Sequence, residues 1–430
     1  MEMQFNKRLS IGVEVEDRLS EMPGNIIDHI LDLMPIKDAA KTSILARKWR
    51  YIWCMHPNIV LDKLTCRKFS TNPLLVLDNT INQILLQHIG NIIKFVLDFS
   101  QVDLLPLTNI DMWIRYVITK GVRDLTLDFS NNNPYKLPTY IYYYQNMTDL
   151  TLNNCLFKPQ DFIFSYPNLK TLYLKQITFM ATPKSIVLKA PLLANLTIMY
   201  CWGTESLNIV SPKLSYLFVV ESHYLDLSSF MKCSNLAVVS LSLCKVVENP
   251  RQYERSTLLK FIFGLPMLEK LYLDTFYLKF LGEDPFPRSL PVVQKCLRHM
   301  MLSLALSNLA QVSFALHFIP CFHNSKTLQI WVFDTGNHAD DVLNYLEKLK
   351  NLDRPIPNLE QVVIRSFNGS KPELLFIKLL FAATPSLIRM SIERDRIFTS
   401  TEDRKITGEL MRYPRASSKA ELFYLPPRRL

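Results

Sequence analysis

The chain has 430 residues, of which 48% are apolar and 20% charged, a balance that suits a hydrophobic core and is too apolar for a disordered chain. No run of about 18 apolar residues occurs, and the first residues lack the apolar stretch of a secretory signal, so neither a membrane-spanning helix nor secretion is expected. The net charge of +10 comes mostly from scattered Lys and Arg residues without interleaved aromatic residues, so nucleic-acid binding is the less favoured interpretation.

Residues 17–53 have the pattern of a compact helical segment. Pro23 suits the first turn of a helix, where its missing N–H costs nothing, and Pro35 ends that helix. Between them, apolar residues recur at the steps of an amphipathic helix: Ile26, Ile27, Ile30, Leu31, Leu33 and Met34. A second helix follows from Asp38, and a third short helical piece ends at Trp53. So short a segment cannot enclose a large core, and its surplus apolar surface indicates an adaptor.

The order of these signals resembles an F-box, the three-helix module that docks on the Skp-type adaptor of a cullin–RING ubiquitin ligase. The matching positions are Leu19, Ser20, Pro23, Ile26, Ile27, Ile30, Leu31, 34–39, 42–45, 47–50 and Trp53. Two positions depart from the usual pattern: Met22 replaces a leucine, which conserves volume, and Ala46 replaces a serine. The resemblance implies that these residues bind the adaptor: Leu19, Met22, Pro23, Ile26, Ile27, Ile30, Leu31, Leu45 and Trp49.

Five of the adaptor-binding residues are expected to carry most of the binding energy, as buried interface anchors usually do. They are Pro23, Ile27, Leu31, Leu45 and Trp49. The alternative is an ordinary helical cap of a repeat domain, with the same residues buried internally. A cap would not need two prolines and two tryptophans in this order, so the F-box interpretation is favoured.

From about residue 95 onward, one phrase recurs in which two apolar residues flank a third residue. It begins at Phe95, Leu125, Leu150, Leu172, Leu196, Leu217, Val239 and Leu271. Five consecutive intervals lie between 21 and 25 residues, which is the period of leucine-rich repeats and too long for the hairpins of an unrelated all-β protein. Each unit is predicted to be a short strand with a turn and a return segment, and the units stack because one unit cannot bury its apolar side alone.

The residue between the two apolar positions of each phrase is predicted to project from the concave side of the stack. Successive side chains of a strand point to opposite faces, so this residue lies opposite the core. These positions are our candidate target-binding residues: Thr126, Thr151, Tyr173, Thr197, Phe218, Ser240 and Tyr272.

After residue 273 the period loosens, and three prolines mark a break. Residues 292–309 are predicted to form a helix, because their apolar residues recur at near-helical steps. A further helix is predicted over 339–349. Strand phrases are predicted at 312–314, 330–332, 362–364 and 390–392. These elements indicate the same solenoid with longer units.

Residues 357–396 carry a second resemblance, to the FBD motif that closes many plant F-box/leucine-rich-repeat proteins. A strand is followed by a turn at Gly369, a helix over 373–383 that Pro385 ends, and another strand. Glu373 lies in the first helical turn, where a negative charge is favourable. The two motifs together imply a plant F-box/FBD/leucine-rich-repeat protein.

The sequence contains no motif for catalysis, for a metal or for a cofactor, and none of these is expected. Nucleophile-elbow, phosphate-loop and zinc-protease patterns are missing. The eight cysteines include no C-x-x-C pair and are expected as free thiols in the nucleus or cytoplasm. His317, Cys321 and His323 lie close in sequence, but ordinary placement at a strand end and loop is favoured over a metal site.

The predicted fold class is therefore α/β. It consists of a three-helix F-box (15–60), an irregular leucine-rich-repeat solenoid (61–356), an FBD-like cap (357–396) and a basic tail (397–430). The expected function is non-catalytic: the target-recognition subunit of an SCF-type ubiquitin ligase, joined to cullin and RING subunits through the Skp-type adaptor. The alternative is a leucine-rich-repeat interaction scaffold without ligase activity, and the two differ in whether a cullin joins the complex.

Overall fold

The computed structural model describes residues 21–44, 49, 51–70, 74–102, 109–158, 163–180, 185–203, 206–221, 227–243, 252–283, 286, 296–333, 339–349, 352, 354–396 and 399–427. The chain divides into two compact units, Met1–Leu127 (unit 1) and Asp128–Leu430 (unit 2). Each unit is described by itself.

Unit 1 begins with three short helices, Gly24–Asp32 (α1), Ile36–Lys41 (α2) and Ile52–Met55 (α3). A proline occupies the N-cap of each of the first two helices. The carbonyl of Pro23 accepts the first helical hydrogen bonds of α1, and the carbonyl of Pro35 does the same for α2. Because proline has no N–H to satisfy, it suits the start of a helix and stops the one before it.

The rest of unit 1 alternates helices with parallel strands. Its elements are Asn58–Leu61 (β1), Lys63–Ser70 (α4), Leu74–Gln87 (α5), Lys94–Asp98 (β2), Ile110–Thr119 (α6) and Asp124–Asp128 (β3). β1 pairs with β2 in parallel, with Ile59 opposite Phe95 and both side chains buried. Parallel neighbours require a crossover, which α4 and α5 provide here.

Unit 2 contains many short strands, with its longer helices in the C-terminal half. Its elements are Tyr135–Lys136 (β4), Thr139–Tyr142 (α7), Asp149–Asn153 (β5), Cys155–Phe157 (β6), Ile163–Ser165 (β7), Thr171–Lys175 (β8), Thr178–Phe179 (β9), Ser185–Lys189 (β10), Asn195–Met199 (β11), Ser206–Val210 (β12), Tyr216–Val220 (β13), Val238–Ser242 (β14), Gln252–Gly264 (α8), Lys270–Leu273 (β15), Thr275–Gly282 (α9), His299–Leu304 (β16), Leu309–Phe318 (α10), Thr327–Val332 (β17), Ala339–Lys348 (α11), Gln361–Phe367 (β18), Lys371–Ala383 (α12), Arg389–Arg394 (β19), Ser400–Arg412 (α13) and Glu421–Leu425 (β20).

The main sheet of unit 2 is entirely parallel among the described strands. Its order is β5-β8-β11-β13-β14-β15-β16-β17-β18-β19-β20. From β5 to β14 the strands start 21 to 24 residues apart, and short strands such as β6, β10 and β12 form part of the returns. From β14 to β20 the spacing grows to 28 to 34 residues, which leaves room for one helix in each return, α8 to α13. The predicted α/β leucine-rich-repeat fold is confirmed.

Four residues directly after strands of the main sheet adopt the left-handed conformation, with φ between 44° and 56°. They are Asn154, Gln176, Tyr200 and Glu221. Each backbone N–H donates to the last carbonyl of the neighbouring strand, at 2.8 or 2.9 Å. A left-handed residue other than glycine costs about 1–2 kcal/mol, and these repeated hydrogen bonds help to offset that cost at each turn.

The structure corrects the sequence prediction around the break in the repeats. Residues 299–304, predicted as part of a helix, form the strand β16, and residues 312–314, predicted as a strand, lie in α10. A buried parallel strand is apolar on both faces, so a run such as Met300 to Leu304 has no clear period.

The C-terminal part of unit 2 continues the same architecture to residue 425. Ser370 and Glu373 form a capping box at the start of α12, where the predicted FBD-like helix lies. The segment named as a basic tail contains α13 and β20, and β20 pairs in parallel with β19. No described helix is both long and apolar enough to cross a membrane.

Candidate functional site

The helical segment of unit 1 has a small apolar core of its own. Its buried members come from α1, α2 and the chain that follows: Ile27, Leu31, Ala39 and Trp49. Partly buried residues pack against this cluster: Met22, Met34 and Ile52. The predicted anchors Ile27, Leu31 and Trp49 are thus only 2–4% exposed. They fill the interior of the segment, and their role as adaptor-binding anchors stays a prediction.

The other residues assigned to adaptor binding lie nearer the surface. Pro23 is exposed, and Ile26 is 44% exposed on the same end of α1. Met22 and Ile30 are half-buried. Leu19 and Leu45 lie outside the described residues. Their role in adaptor binding stays a prediction.

Three further apolar side chains of this segment are more exposed than Ile26. Leu33 is 75% exposed, Ile44 83% and Tyr51 55%. Sequence reasoning placed Leu33 on the apolar stripe of α1. Two residues turn a helix by about 200°, so Leu33 faces away from the buried Leu31. The spacing of these two residues in the sequence was therefore enough to place Leu33 on the surface.

A polar cluster links the helical segment to the first strand within unit 1. His56 lies with Nδ1 3.4 Å from Asp28 Oδ1 and Nε2 3.0 Å from Asp32 Oδ1. Asn58 Nδ2 donates to the same Asp32 oxygen at 2.7 Å. The pKa of nearby His88 is lowered, mainly because burial disfavours its charged form. These contacts join residues more than twenty positions apart, which no sequence pattern revealed.

The predicted concave positions form one row across the main sheet of unit 2. Thr151, Tyr173, Thr197, Phe218, Ser240 and Tyr272 lie opposite one another in successive strands. Their strand neighbours on either side point into the core and are buried, as with Leu172 and Leu174 around Tyr173. We call the side of the main sheet opposite the core the strand face. Thr126 holds the equivalent place in β3 of unit 1.

The buried cysteines have no features of a reactive or metal-binding site. Burial, with Asp98 and Asp62 nearby, raises the pKa of Cys66 to about 12, and burial raises that of Cys201 to about 12. These thiols stay protonated at neutral pH and are poor nucleophiles. Among the described residues, no group of three His, Cys, Asp or Glu side chains could hold a metal ion. His317 Nδ1 lies 2.7 Å from the carbonyl of Ser313 in its own helix.

Comparison with known protein families matches two regions of the chain. The F-box domain family matches residues 19–61, which contain the helical segment. The At1g61320/AtMIF1 LRR domain family matches residues 84–248. The chain is an F-box protein with leucine-rich repeats. The resemblance seen in the sequence is thereby confirmed.

Curated relatives extend the similarity over nearly the whole F-box/leucine-rich-repeat chain. The F-box/FBD/LRR-repeat protein At1g13570 of Arabidopsis thaliana is 29% identical over 96% of this chain and 99% of its own. The F-box/FBD/LRR-repeat protein At5g22660 is 22% identical over 95% of this chain and 96% of its own. The putative F-box/LRR-repeat protein At3g18150 is 27% identical over 64% of each chain.

Proposed function

We propose that this chain is the target-recognition subunit of a cullin–RING ubiquitin ligase of the SCF type. In this role the F-box binds a Skp-type adaptor, through which the cullin and RING subunits join, and the strand face holds a target protein. The F-box match over residues 19–61 is the observation that carries the proposal. The complex would act in the nucleus or cytoplasm.

The exposed apolar residues of the helical segment support adaptor binding. Soluble proteins rarely leave several large apolar side chains exposed together unless a partner covers them. Ile26, Leu33 and Ile44 are all exposed on a segment whose interior is already filled by its own small core. We propose that these residues and Pro23 contact the adaptor directly, with Ile27, Leu31 and Trp49 supporting them from inside.

The proposed role of the chain in ubiquitination is positioning. The ligase chemistry takes place on other subunits, and this chain holds a target near the charged ubiquitin-conjugating enzyme. Holding two reactants on one assembly raises their effective concentration, often to millimolar for flexible links. The row of predicted concave positions from Thr151 to Tyr272, which we call the middle row, is the proposed target surface. Thr126 is its counterpart in unit 1.

Adaptor capture by two matched variants of the full chain tests the proposal. Ile26→Asp places a charge on an exposed side chain of α1, and Met112→Asp does the same on α6, outside the F-box match. Both substitutions fall near a helix N-terminus, where an acid is tolerated. A tagged Skp-type adaptor should capture wild type and Met112→Asp in equal amounts. The captured amount of Ile26→Asp should be lower by at least about tenfold. Equal capture of all three proteins would contradict the proposal.

A further inference from the structure

We infer that the target docks on β17 and presents a bulky apolar side chain within an uncharged segment. The docking point, which we call the anchor site, consists of Trp331 and Phe333 with their neighbours Gln329 and Arg365. This inference rests on the proposed function, in which the strand face holds a target. It adds the position of the main contact and the chemistry of the target segment.

The side chains of β17 alternate between the core and the strand face. Leu328, Ile330 and Val332 are buried, whereas Trp331 is 37% and Phe333 55% exposed. Among the described residues, these are the two most exposed large apolar side chains in or directly after the strands of the main sheet. Exposed aromatic side chains on a rigid element are the commonest anchors of protein interfaces.

Trp331 is held in place before any partner arrives. Arg365 lies opposite it in β18, with its guanidinium carbon 4.9 Å from the centre of the indole ring. With its amide oriented to satisfy both neighbours, Gln329 accepts hydrogen bonds from Trp331 Nε1 at 2.6 Å and from Arg365 Nε at 3.3 Å. A side chain that is already ordered loses little conformational entropy on binding.

Among the described residues, the charged side chains that flank Trp331 form an ion pair. Arg365 Nε lies 3.5 Å from Glu393 Oε2, and both side chains are largely buried. On the other side of Trp331, β16 contributes the uncharged Ser303, whose hydroxyl lies 3.2 Å from that of Tyr272. The local charge therefore selects neither an acidic nor a basic ligand.

The described residues of the middle row of the strand face are uncharged as well, and the charged group seen against the row is the Arg389 guanidinium, 4.1 Å from the centre of the Phe423 ring at its far end. In the described strands from β5 to β20 it reads Thr151, Tyr173, Thr197, Phe218, Ser240, Tyr272, Met301, Gln329, Val363, Ser391 and Phe423. Burying a charged group against such a row would be costly without a partner for it. The complementary occupant is an uncharged target segment that inserts an aromatic or aliphatic side chain beside Trp331, even though the whole chain carries a net charge of +10.

Peptide selection on the complete protein tests this inference. The full chain, purified through its own tag without the adaptor, is used to select binders from a displayed random peptide library. Enriched peptides are then synthesised, and their dissociation constants are measured with wild type, Trp331→Ala, Phe333→Ala and Trp202→Ala at low and high salt. Trp202 is a matched control, because it is an exposed tryptophan (46%) bridged to Thr178 outside the main sheet.

We expect the selection to enrich uncharged peptides that are rich in aromatic and aliphatic residues. Their dissociation constants should change little with salt concentration. Trp331→Ala and Phe333→Ala should each weaken them about tenfold, and Trp202→Ala should leave them unchanged. Phe333 is mostly exposed, so the Phe333→Ala variant should unfold at the same temperature as wild type. Weaker peptide binding by this variant therefore cannot be attributed to misfolding.

Several results would overturn the inference. They are enrichment of acidic or basic peptides, binding that neither variant weakens, no enrichment over the Trp331→Ala protein, or a Trp331-dependent dimer in sedimentation experiments. The proposed function fails separately, because adaptor capture is measured on the same preparations. Lost capture with intact peptide binding would contradict the ligase role and leave the anchor site standing.

Discussion

The helical segment of unit 1 and the main sheet of unit 2 distribute their apolar residues in different ways. In the helical segment, a core of four buried residues supports exposed large side chains such as Ile26, Leu33 and Ile44. In the main sheet, the apolar side chains of the strands that point into the core are buried, and the middle positions of the strand face hold mostly hydroxyl or half-buried apolar residues. The helical segment therefore leaves large apolar side chains at its surface, whereas the exposed aromatic side chains in or directly after the described strands of the main sheet are Trp331 and Phe333.

The difference has an energetic consequence. A repeat strand has a neighbour on each side, so the loss of one side chain is shared among several packed residues. The helical segment has no such reserve, and each of its buried side chains carries a large share of its local stability.

The largest effect is expected from truncating the small core. Leu31→Ala should destabilise the helical segment by about 2–5 kcal/mol, because it removes a side chain that is 2% exposed. Leu33→Ala, two residues further along and 75% exposed, should change stability by less than about 0.5 kcal/mol. Hydrogen exchange of the α1 amides measures both, since it reports local opening. Similar protection losses in the two variants would show that the cluster does not stabilise the segment.

A smaller effect is expected at the left-handed turns of unit 2. Tyr200→Gly should stabilise unit 2 by about 0.5–1 kcal/mol, because glycine adopts positive φ without the steric cost while the hydrogen bond to Val220 O remains. Lys175→Gly, at the last residue of β8, where the backbone is extended, should instead destabilise it by about 0.5–1 kcal/mol. Urea denaturation followed by circular dichroism measures the free energy of unfolding of both variants. Destabilisation by both substitutions would contradict the claim that the left-handed turns are strained.

The smallest effect concerns the pH dependence of stability at the end of β15. Asp274 accepts hydrogen bonds from the N–H groups of Tyr277 and Leu243 and from the Ser242 hydroxyl. Burial raises the pKa of this carboxyl despite those hydrogen bonds, which lower it. The folded state therefore binds the proton more tightly than the unfolded state. The stability from this residue is full below the unfolded pKa of about 3.9 and is lost as the pH rises through the folded pKa.

Asp274→Asn removes the titration while keeping a good N-cap residue at the start of α9. Relative to wild type, the variant should gain stability as the pH is raised from about 4 towards neutral. Thermal unfolding across that range measures the difference. A constant offset between the two proteins would show that Asp274 has the same pKa folded and unfolded.

The predictable parts of this molecule were those governed by local pattern. The prolines at 23 and 35 start α1 and α2 as expected, and the repeat phrases from Leu150 to Leu271 mark the strands of the main sheet. Prediction failed at residues 299–304, which form a strand, and at residues 312–314, which lie in a helix. In both segments the apolar residues follow no clear period, so their spacing does not distinguish a strand from a helix. It also gave no strand for the end of the chain, where β20 is only half-buried and its apolar residues do not alternate with polar ones.

The candidate site divides in the same way. The F-box order of residues identified the segment that matches the F-box family, but sequence cannot separate residues that fill its core from residues that face outward. Leu31 and Leu33 differ in exposure from 2% to 75%, and only the helix geometry distinguishes them. The His56 cluster and the Trp331–Arg365 pair arise from contacts between distant residues, so they needed the structure.

The most direct test of the central claim is the cullin content of the assembled complex. The tagged full chain is co-expressed with a Skp-type adaptor, a cullin and a RING subunit, and the cullin that co-purifies is quantified. We expect cullin in stoichiometric amount with wild type and Met112→Asp, and its loss with Ile26→Asp. Adaptor without cullin on the wild-type chain, or cullin retained by Ile26→Asp, would contradict the role of this chain as a ligase subunit that docks through its helical segment.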